Sequence, residues 1–151
     1  MPVLVIARAN EAAVAKRGSV DIEGRRKVAE LLRAFVDGHM TNWDLDKDYP
    51  SSSADAAVHA VYARTWRFQD DFNEFRVTGP LALTGDEREL FERCILFMRT
   101  DAPYRWPSPA RALALRLVSV FRISWARDEL RGDRAAWPFF ERAETGGSDK
   151  E

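Results

Sequence analysis

Four aspartates in one short stretch have a spacing close to that of a known metal site. The first, third, fifth and twelfth positions of a calcium-binding EF-hand loop are matched by Asp44, Asp46, Asp48 and Asp55. That loop needs glycine at its sixth position for a tight turn, whereas this chain has Tyr49 there, followed by Pro50. The departures favour an acidic, solvated turn, and we predict no metal site.

A second pattern could form a small-molecule or enzymatic pocket. Asp55 and His59 are four residues apart, so on a helix the carboxylate would lie beside the imidazole, as for an oriented general base. The same helical stripe continues into two aromatic residues, and a later loop adds two more. The possible pocket consists of His59, Tyr62, Trp66, Tyr104 and Trp106. A surface ion pair beside an aromatic edge explains the same spacing, and we favour that interpretation.

The short motifs of common enzyme classes do not occur in the sequence. It contains no HExxH, no paired CxxC, no Gly-rich phosphate loop and no GxSxG. The single cysteine, Cys94, shares a predicted helix face with Phe91 and Met98, which is typical of a core residue rather than a reactive thiol. We therefore predict no catalytic residue and no cofactor, and we expect a protein that is not an enzyme.

An arginine-rich segment follows, with no acidic residue between positions 101 and 128. Two edges of the helix predicted here are marked by Arg111 with Arg122 and by Arg116 with Arg127. Arginine beside apolar surface is typical of protein recognition. The same residues could instead line a phosphate-binding groove or pair with aspartates inside a helical bundle, and all three alternatives stay open.

Between those edges the predicted helix carries apolar residues on two sides. The wider arc is expected to face the core, and it contains Leu113, Leu117, Phe121, Ser124 and Trp125. The narrower arc contains Leu115, Ser119 and Ile123. A helix that is apolar on both sides is either central to a bundle or contacts something else with its second face.

Length and composition indicate one ordinary globular domain. The chain has 151 residues, 46 % of them hydrophobic and 31 % charged, with a formal net charge of −1. This length suffices for a core without disulfides, and the near-neutral charge argues against nucleic acid as a partner. The N-terminal apolar run is short and lacks a signal-peptide pattern, and no run is long enough to span a membrane. We expect a cytoplasmic protein.

The hydrophobic pattern predicts an all-α, single-domain bundle. Helix periodicity and capping signals place four main helices at about residues 20–37, 53–75, 85–99 and 109–131. A short helical turn is expected near Trp43, and a C-terminal aromatic flap contains Trp137, Phe139 and Phe140. Residues 1–19 are predicted as an arm or short helix, residues 20–143 as the helical domain, and residues 144–151 as a flexible tail.

Three segments carry the most distinctive patterns of the chain. They are MTNWDLDKDYP, QDDF and LTGDERELFERCILFMRTDAPYRWP, and the most specific part is RCILFMRTDAPYRWP at residues 93–107. Across about residues 20–140 the chain resembles a family of small bacterial proteins for which no activity is established. The resemblance implies a bacterial origin and nothing catalytic, and genes of this type often encode immunity or accessory proteins.

These observations favour an interaction protein that binds a protein partner. One predicted contact surface is acidic and aromatic and contains Trp43, Asp44, Asp46, Asp48, Tyr49 and Asp55. Against a nuclease, its carboxylates could imitate phosphates. The other predicted surface is the arginine-rich helix, with Arg111, Arg116, Arg122 and Arg127. Nucleic acid and membrane are not the expected partners.

Overall fold

The computed structural model describes residues 19–119 and 132–141, and within those ranges the chain is helical and contains no strand. The helices found there are α1 (Ile22–Val36), α2 (Asn42–Asp48), α3 (Ala56–Thr65), α4 (Gly85–Met98) and α5 (Pro109–Ser119). Two single turns of 3-10 helix cover Trp66–Phe68 and Gly79–Leu81. The predicted all-α class is confirmed.

The central helix pair of the described core is formed by α1 and α4. Each helix has apolar side chains at the 3.6-residue period, so one stripe of each is buried. The rings of Phe35 and Phe91 have centroids 5.6 Å apart, and fully buried residues around them include Val28, Leu32, Ile95 and Met98. The helices predicted over 20–37 and 85–99 are confirmed to within two residues at each end.

Two helices, α4 and α2, begin at residues whose side chains cap the first turn. At α4 the Thr84 hydroxyl accepts the backbone N–H of Glu87, and the Glu87 carboxylate accepts the Thr84 N–H at 2.8 Å. This reciprocal pair is a capping box. Thr41 and Asp44 form the same arrangement at the start of α2, so the predicted helical turn near Trp43 is also confirmed.

The helix predicted over residues 53–75 is wrong at both ends, because α3 is much shorter. Asp55 caps it by accepting the Ala57 N–H at 2.8 Å. The helix ends at Thr65, whose hydroxyl donates to the Val61 carbonyl at 3.0 Å. After the 3-10 turn the chain is irregular over residues 69–78. Hydrogen bonds between this stretch and α2 replace the helical ladder that the prediction assumed.

The predicted start of α5 is confirmed, but the inward side of the helix is not the expected one. Ser108 accepts the Arg111 N–H at 3.3 Å ahead of Pro109. Leu115 is buried, whereas Leu113 and Leu117, predicted for the core, are more than half exposed. Periodicity defines an apolar arc without showing which arc meets a neighbour. The rest of the predicted core arc lies outside the described residues, at Phe121, Ser124 and Trp125.

Residues 132–141 form a succession of turns that packs on the end of α4 and on the loop after it. Phe139 is buried, and its ring meets that of Phe97 edge-on at 5.2 Å. The Trp106 indole donates to the Phe139 carbonyl at 3.0 Å. Phe140 is also buried, while Trp137 is half-buried. This contact joins the loop after α4 to the C-terminal part of the described chain.

The predicted tail (144–151) and all but the last residue of the predicted arm (1–19) lie outside the described residues. Within the described ranges, no helix combines the length and the apolar character needed to cross a bilayer.

Candidate functional site

An exposed aromatic side chain lies on α2, next to the irregular stretch after α3. Trp43 is 45 % exposed, and its indole N–H donates to the Asp70 carbonyl at 3.0 Å. The hydrogen bond fixes the orientation of the ring without burying it. Trp43 is therefore held in place on the surface and does not anchor α2 to the core, a role that the buried Leu45 and Tyr49 have.

Tyr62 connects α3 to the same surface. Its hydroxyl donates to Asp46 Oδ1 at 2.6 Å, and its ring lies 5.4 Å from that of Trp66, which is 43 % exposed. Burial and the hydrogen bond to Asp46 raise the pKa of Tyr62 to about 12, with a smaller contribution from the charge of nearby Asp71. The phenol thus stays protonated and keeps donating at neutral pH.

These contacts define one continuous feature, which we call the acidic–aromatic surface. Its members are Trp43, Asp46, Tyr62, Trp66, Asp70, Asp71 and Phe72. Three of its residues, Asp70, Asp71 and Phe72, were placed on a helix by the sequence pattern and instead lie in the irregular stretch.

Residues 70–75, which we call the Phe72 loop, carry the most exposed large hydrophobic side chain among the described residues. Phe72 is 90 % exposed. Asp70 Oδ1 accepts the backbone N–H groups of Phe72 at 2.8 Å and Asn73 at 3.1 Å, and Oδ2 accepts the Asn73 side-chain amide at 2.9 Å. These hydrogen bonds lower the pKa of Asp70, with the largest contribution from the Asn73 side chain, and so favour its ionised form. The loop is a hydrogen-bonded turn.

Asn42 attaches this loop to α2. It is fully buried, and its amide donates to the carbonyls of Asp70 and Asn73, each at 3.1 Å, while its Oδ1 accepts the Phe75 N–H at 2.8 Å. The backbone of Asn42 also donates to the Phe75 carbonyl at 3.1 Å. Sequence reasoning missed this role of Asn42. The one signal in the sequence was an asparagine immediately before a tryptophan, near the start of a predicted helical turn.

Asp55 belongs to a buried cluster and not to a partner surface. It is 2 % exposed and receives the guanidinium of Arg25, itself 1 % exposed, through Nε at 2.6 Å and Nη2 at 3.2 Å. The Nη1 group of Arg25 donates to the carbonyls of Thr100 and Ala102, at 3.1 and 2.7 Å. Asp55 also accepts the Asp21 N–H at 3.0 Å. Arg25 therefore ties α1, α3 and the end of α4 together, a role that the sequence pattern did not indicate.

The other predicted partner-binding residues of this region separate into two groups. Asp46 and Asp48 are exposed, as a contact surface requires. Asp44 is engaged in the α2 capping box. Tyr49 is buried and donates to the Val58 carbonyl at 2.9 Å. The four aspartates of the EF-hand-like pattern are thus in different environments, and no group of three or more potential metal ligands occurs in the described part of the chain.

Residues of the possible pocket have separate hydrogen-bond partners. His59 contacts the Ser53 carbonyl through Nε2 at 2.6 Å, on the exposed side of α3. Tyr104 accepts the Trp137 indole N–H at 3.1 Å, and Trp106 is bonded to residues 132–141. Concavities found along residues 19–119, such as one of about 690 Å³ lined by residues of α1, have other linings.

The remaining residues singled out from the sequence lie on α5 and in the core. Arg111 and Arg116 are exposed on α5, whereas Arg122 and Arg127 lie outside the described residues. Cys94 is fully buried in the core, and burial raises the pKa of its thiol to about 12, which makes it a poor nucleophile. The predicted core position of Cys94 is confirmed.

Among known proteins, no family model, no curated protein and no solved structure matches this chain.

Proposed function

We propose that this chain is a non-enzymatic interaction protein that binds a protein partner through the acidic–aromatic surface. The observation that carries the proposal is the exposure of Trp43, Trp66 and Phe72 on one connected surface bordered by aspartates. Aromatic residues are enriched at the energetically dominant positions of protein interfaces. Exposed aromatic rings grouped together mark interaction sites more often than scattered ones do.

Hydrogen bonding within the surface supports the same proposal. The Trp43 indole is bonded to the Asp70 carbonyl, and the Tyr62 hydroxyl to Asp46. Side chains already held in one orientation lose little conformational entropy when a partner covers them, so more of the contact energy remains for binding. A surface built only for solubility would not need such restraints on its aromatic rings.

The setting we propose is bacterial and cytoplasmic, with a role of the immunity or accessory type. The bacterial origin and the role rest on the sequence resemblance, and the compartment on a single cysteine kept as a buried thiol. A small-molecule pocket and nucleic-acid binding through Arg111 and Arg116 have less support. The concavities described along residues 19–119 are not lined by the pocket residues, and the chain carries a net charge of −1.

Affinity capture from source cells with matched variants tests the proposal. The tagged protein is compared with Trp43→Ala, Trp66→Ala and the control Leu96→Ala, which removes an exposed leucine from α4, outside the acidic–aromatic surface. We expect one protein to be recovered with the wild type and the control, and its recovery to fall at least about tenfold with either tryptophan variant. Equal recovery with all four proteins, each shown to be folded by circular dichroism, would refute the proposal.

A further inference from the structure

We propose that Phe72 is the anchor of this interaction, that it enters an apolar pocket with a basic rim on the protein partner, and that Asn42 is the positioning residue that presents it. This inference rests on the proposed function and names the partner chemistry at one point of the acidic–aromatic surface. Three observations carry it: the exposure of Phe72, the hydrogen bonds that hold its loop, and the charges that flank it.

The exposure of Phe72 is unusual for its residue type. At 90 % exposed, its ring projects almost entirely into solvent, whereas Phe35, Phe91 and Phe97 of the same chain are buried. Phenylalanine has a large apolar side chain whose burial drives association, and residues that dominate interfaces typically fill a pocket on the partner. Because the Phe72 ring projects from its own protein, it is suited to insert into a pocket on the partner and not to form one.

The Phe72 loop has a defined conformation despite the exposure of its tip. Asp70 accepts the N–H groups of Phe72 and Asn73, and Asn42 binds both ends of the loop through its side chain. Thr41 adds a hydrogen bond from its hydroxyl to Glu74 at 2.8 Å. Because these bonds exist before any partner binds, little ordering remains to be done on association.

Charge around the loop selects the chemistry of the pocket rim. The residues flanking Phe72 include Asp70, Asp71 and Glu74, and no cationic residue occurs between positions 69 and 75. The nearest arginine after the loop, Arg76, donates to the Gly38 carbonyl at 3.2 Å. Complementary potentials favour lysine or arginine around the pocket, and an anionic lipid surface or a nucleic acid would repel the same carboxylates.

The first experiment places a photocrosslinking amino acid at the anchor position. The full chain is produced in source cells with p-benzoylphenylalanine in place of Phe72, and a matched protein carries it in place of Leu96. Irradiation followed by mass spectrometry identifies the attached molecule and the attachment site. We expect adducts from position 72 but not from position 96. The attachment sites should be apolar residues of one protein, and these residues should line a pocket that has lysine or arginine at its edge.

Several results would overturn the inference. Adducts with lipid, with nucleic acid or with a second copy of this chain would each show that Phe72 contacts something other than the proposed protein partner. Attachment to a surface lined by aspartate and glutamate would contradict the charge argument. Equal yields at positions 72 and 96 would show that Phe72 has no special place in the contact.

Substitution of Phe72 then measures the anchor in the capture experiment. We expect Phe72→Ala to reduce recovery at least about 30-fold, the factor that corresponds to a hot-spot residue, and Phe72→Leu to reduce it less. Folding should be unaffected, because the ring contributes little to the core. If Trp43→Ala and Trp66→Ala abolish recovery while Phe72→Ala does not, the proposed function stands and the anchor inference fails. If none of the three variants matters, both fail.

Asn42→Asp tests the positioning role, because it keeps the shape of the side chain but removes the two N–H donors that hold Asp70 and Asn73. We expect faster amide hydrogen exchange at residues 72–75 and, when the same variant carries p-benzoylphenylalanine at position 72, a lower crosslinking yield there. Asp70→Ala, which removes the hydrogen bonds inside the loop, should act in the same direction if Asn42→Asp does not fold. A loosened loop with an undiminished yield would overturn the positioning role.

Discussion

At the scale of single residues, burial decides what an ion pair contributes. Arg25 and Asp55 form a pair that is almost wholly excluded from solvent and shares its hydrogen bonds with two backbone carbonyls. Arg33 and Glu92 form a pair of similar geometry whose side chains remain about one-third exposed. Water screens the second pair but not the first, so the two should respond differently to the loss of one partner.

Arg25→Met should therefore lower the free energy of unfolding by about 3–5 kcal/mol, because it leaves the Asp55 carboxylate buried without its guanidinium. The matched control Arg33→Met should cost at most about 1 kcal/mol. Urea denaturation followed by circular dichroism at pH 7 measures both. Similar losses for the two variants would contradict the role assigned to Arg25.

At the scale of elements, the helix ends are determined by local chemistry at some positions and by distant contacts at others. Gly38 follows α1 with a φ of +73°, the left-handed conformation that commonly ends a helix. The end of α3 has a different cause, since residues 69–75 leave the helical path and bond to Asn42 of α2.

Gly38→Ala should destabilise the protein by about 1–3 kcal/mol, because a side chain at positive φ is strained. The added Cβ would also lie 2.6 Å from Cγ2 of Thr78, so the Thr78 side chain or the adjoining backbone would have to shift. Gly85→Ala is the control, since its Cβ would meet no atom within 4 Å and alanine favours the helix. Thermal melting should show a lower midpoint for Gly38→Ala and an unchanged or higher one for Gly85→Ala, and the reverse order would refute this account.

At the scale of the whole molecule, ionised carboxylates link stability to pH. The pKa values of Asp21, Asp44 and Asp70 lie below the ordinary 3.8, and that of Glu92 below the ordinary 4.5. The leading causes are hydrogen bonds: from the Gly24 and Thr41 backbones, from the Asn73 side chain and from Arg33, respectively. When the pKa of a carboxyl group is lower in the folded state than in the unfolded state, its ionised form stabilises the fold at any pH above the unfolded-state pKa. This stabilisation is lost as the pH falls through the folded-state pKa.

We therefore expect the free energy of unfolding to fall as the pH is lowered from about 5 towards 2, with little carboxylate-linked change between pH 5 and 7. Urea midpoints measured at pH 7, 5 and 3 test this directly. Glu92→Gln, which removes one of the titrating groups, should make the decline shallower. A midpoint that rises on acidification would show that these carboxylates are not stabilised in the folded state.

Much of the helical framework could be predicted because its signals are local. The capping box at Thr84 joins residues three apart, and the stripe of α4 through Phe91 and Cys94 follows directly from helix geometry. The candidate surface was predicted only in part. Trp43, Asp46, Tyr62 and Trp66 were singled out from the sequence, although Tyr62 and Trp66 were assigned to a pocket. Phe72, by contrast, lay within the helix predicted over residues 53–75, and α3 does not extend so far.

By itself, the sequence determined the all-α class, the starts of α2, α4 and α5, and the core position of Cys94. Each of these depends on residues within about one helical turn of one another. Only the tertiary structure decided that Asp55 belongs to the core and that Phe72 belongs to the surface. Those outcomes depend on Arg25, 30 positions from Asp55, and on Asn42, 33 positions from Phe75. Hydrogen bonds across such separations form only when distant segments meet, and no local periodicity encodes them.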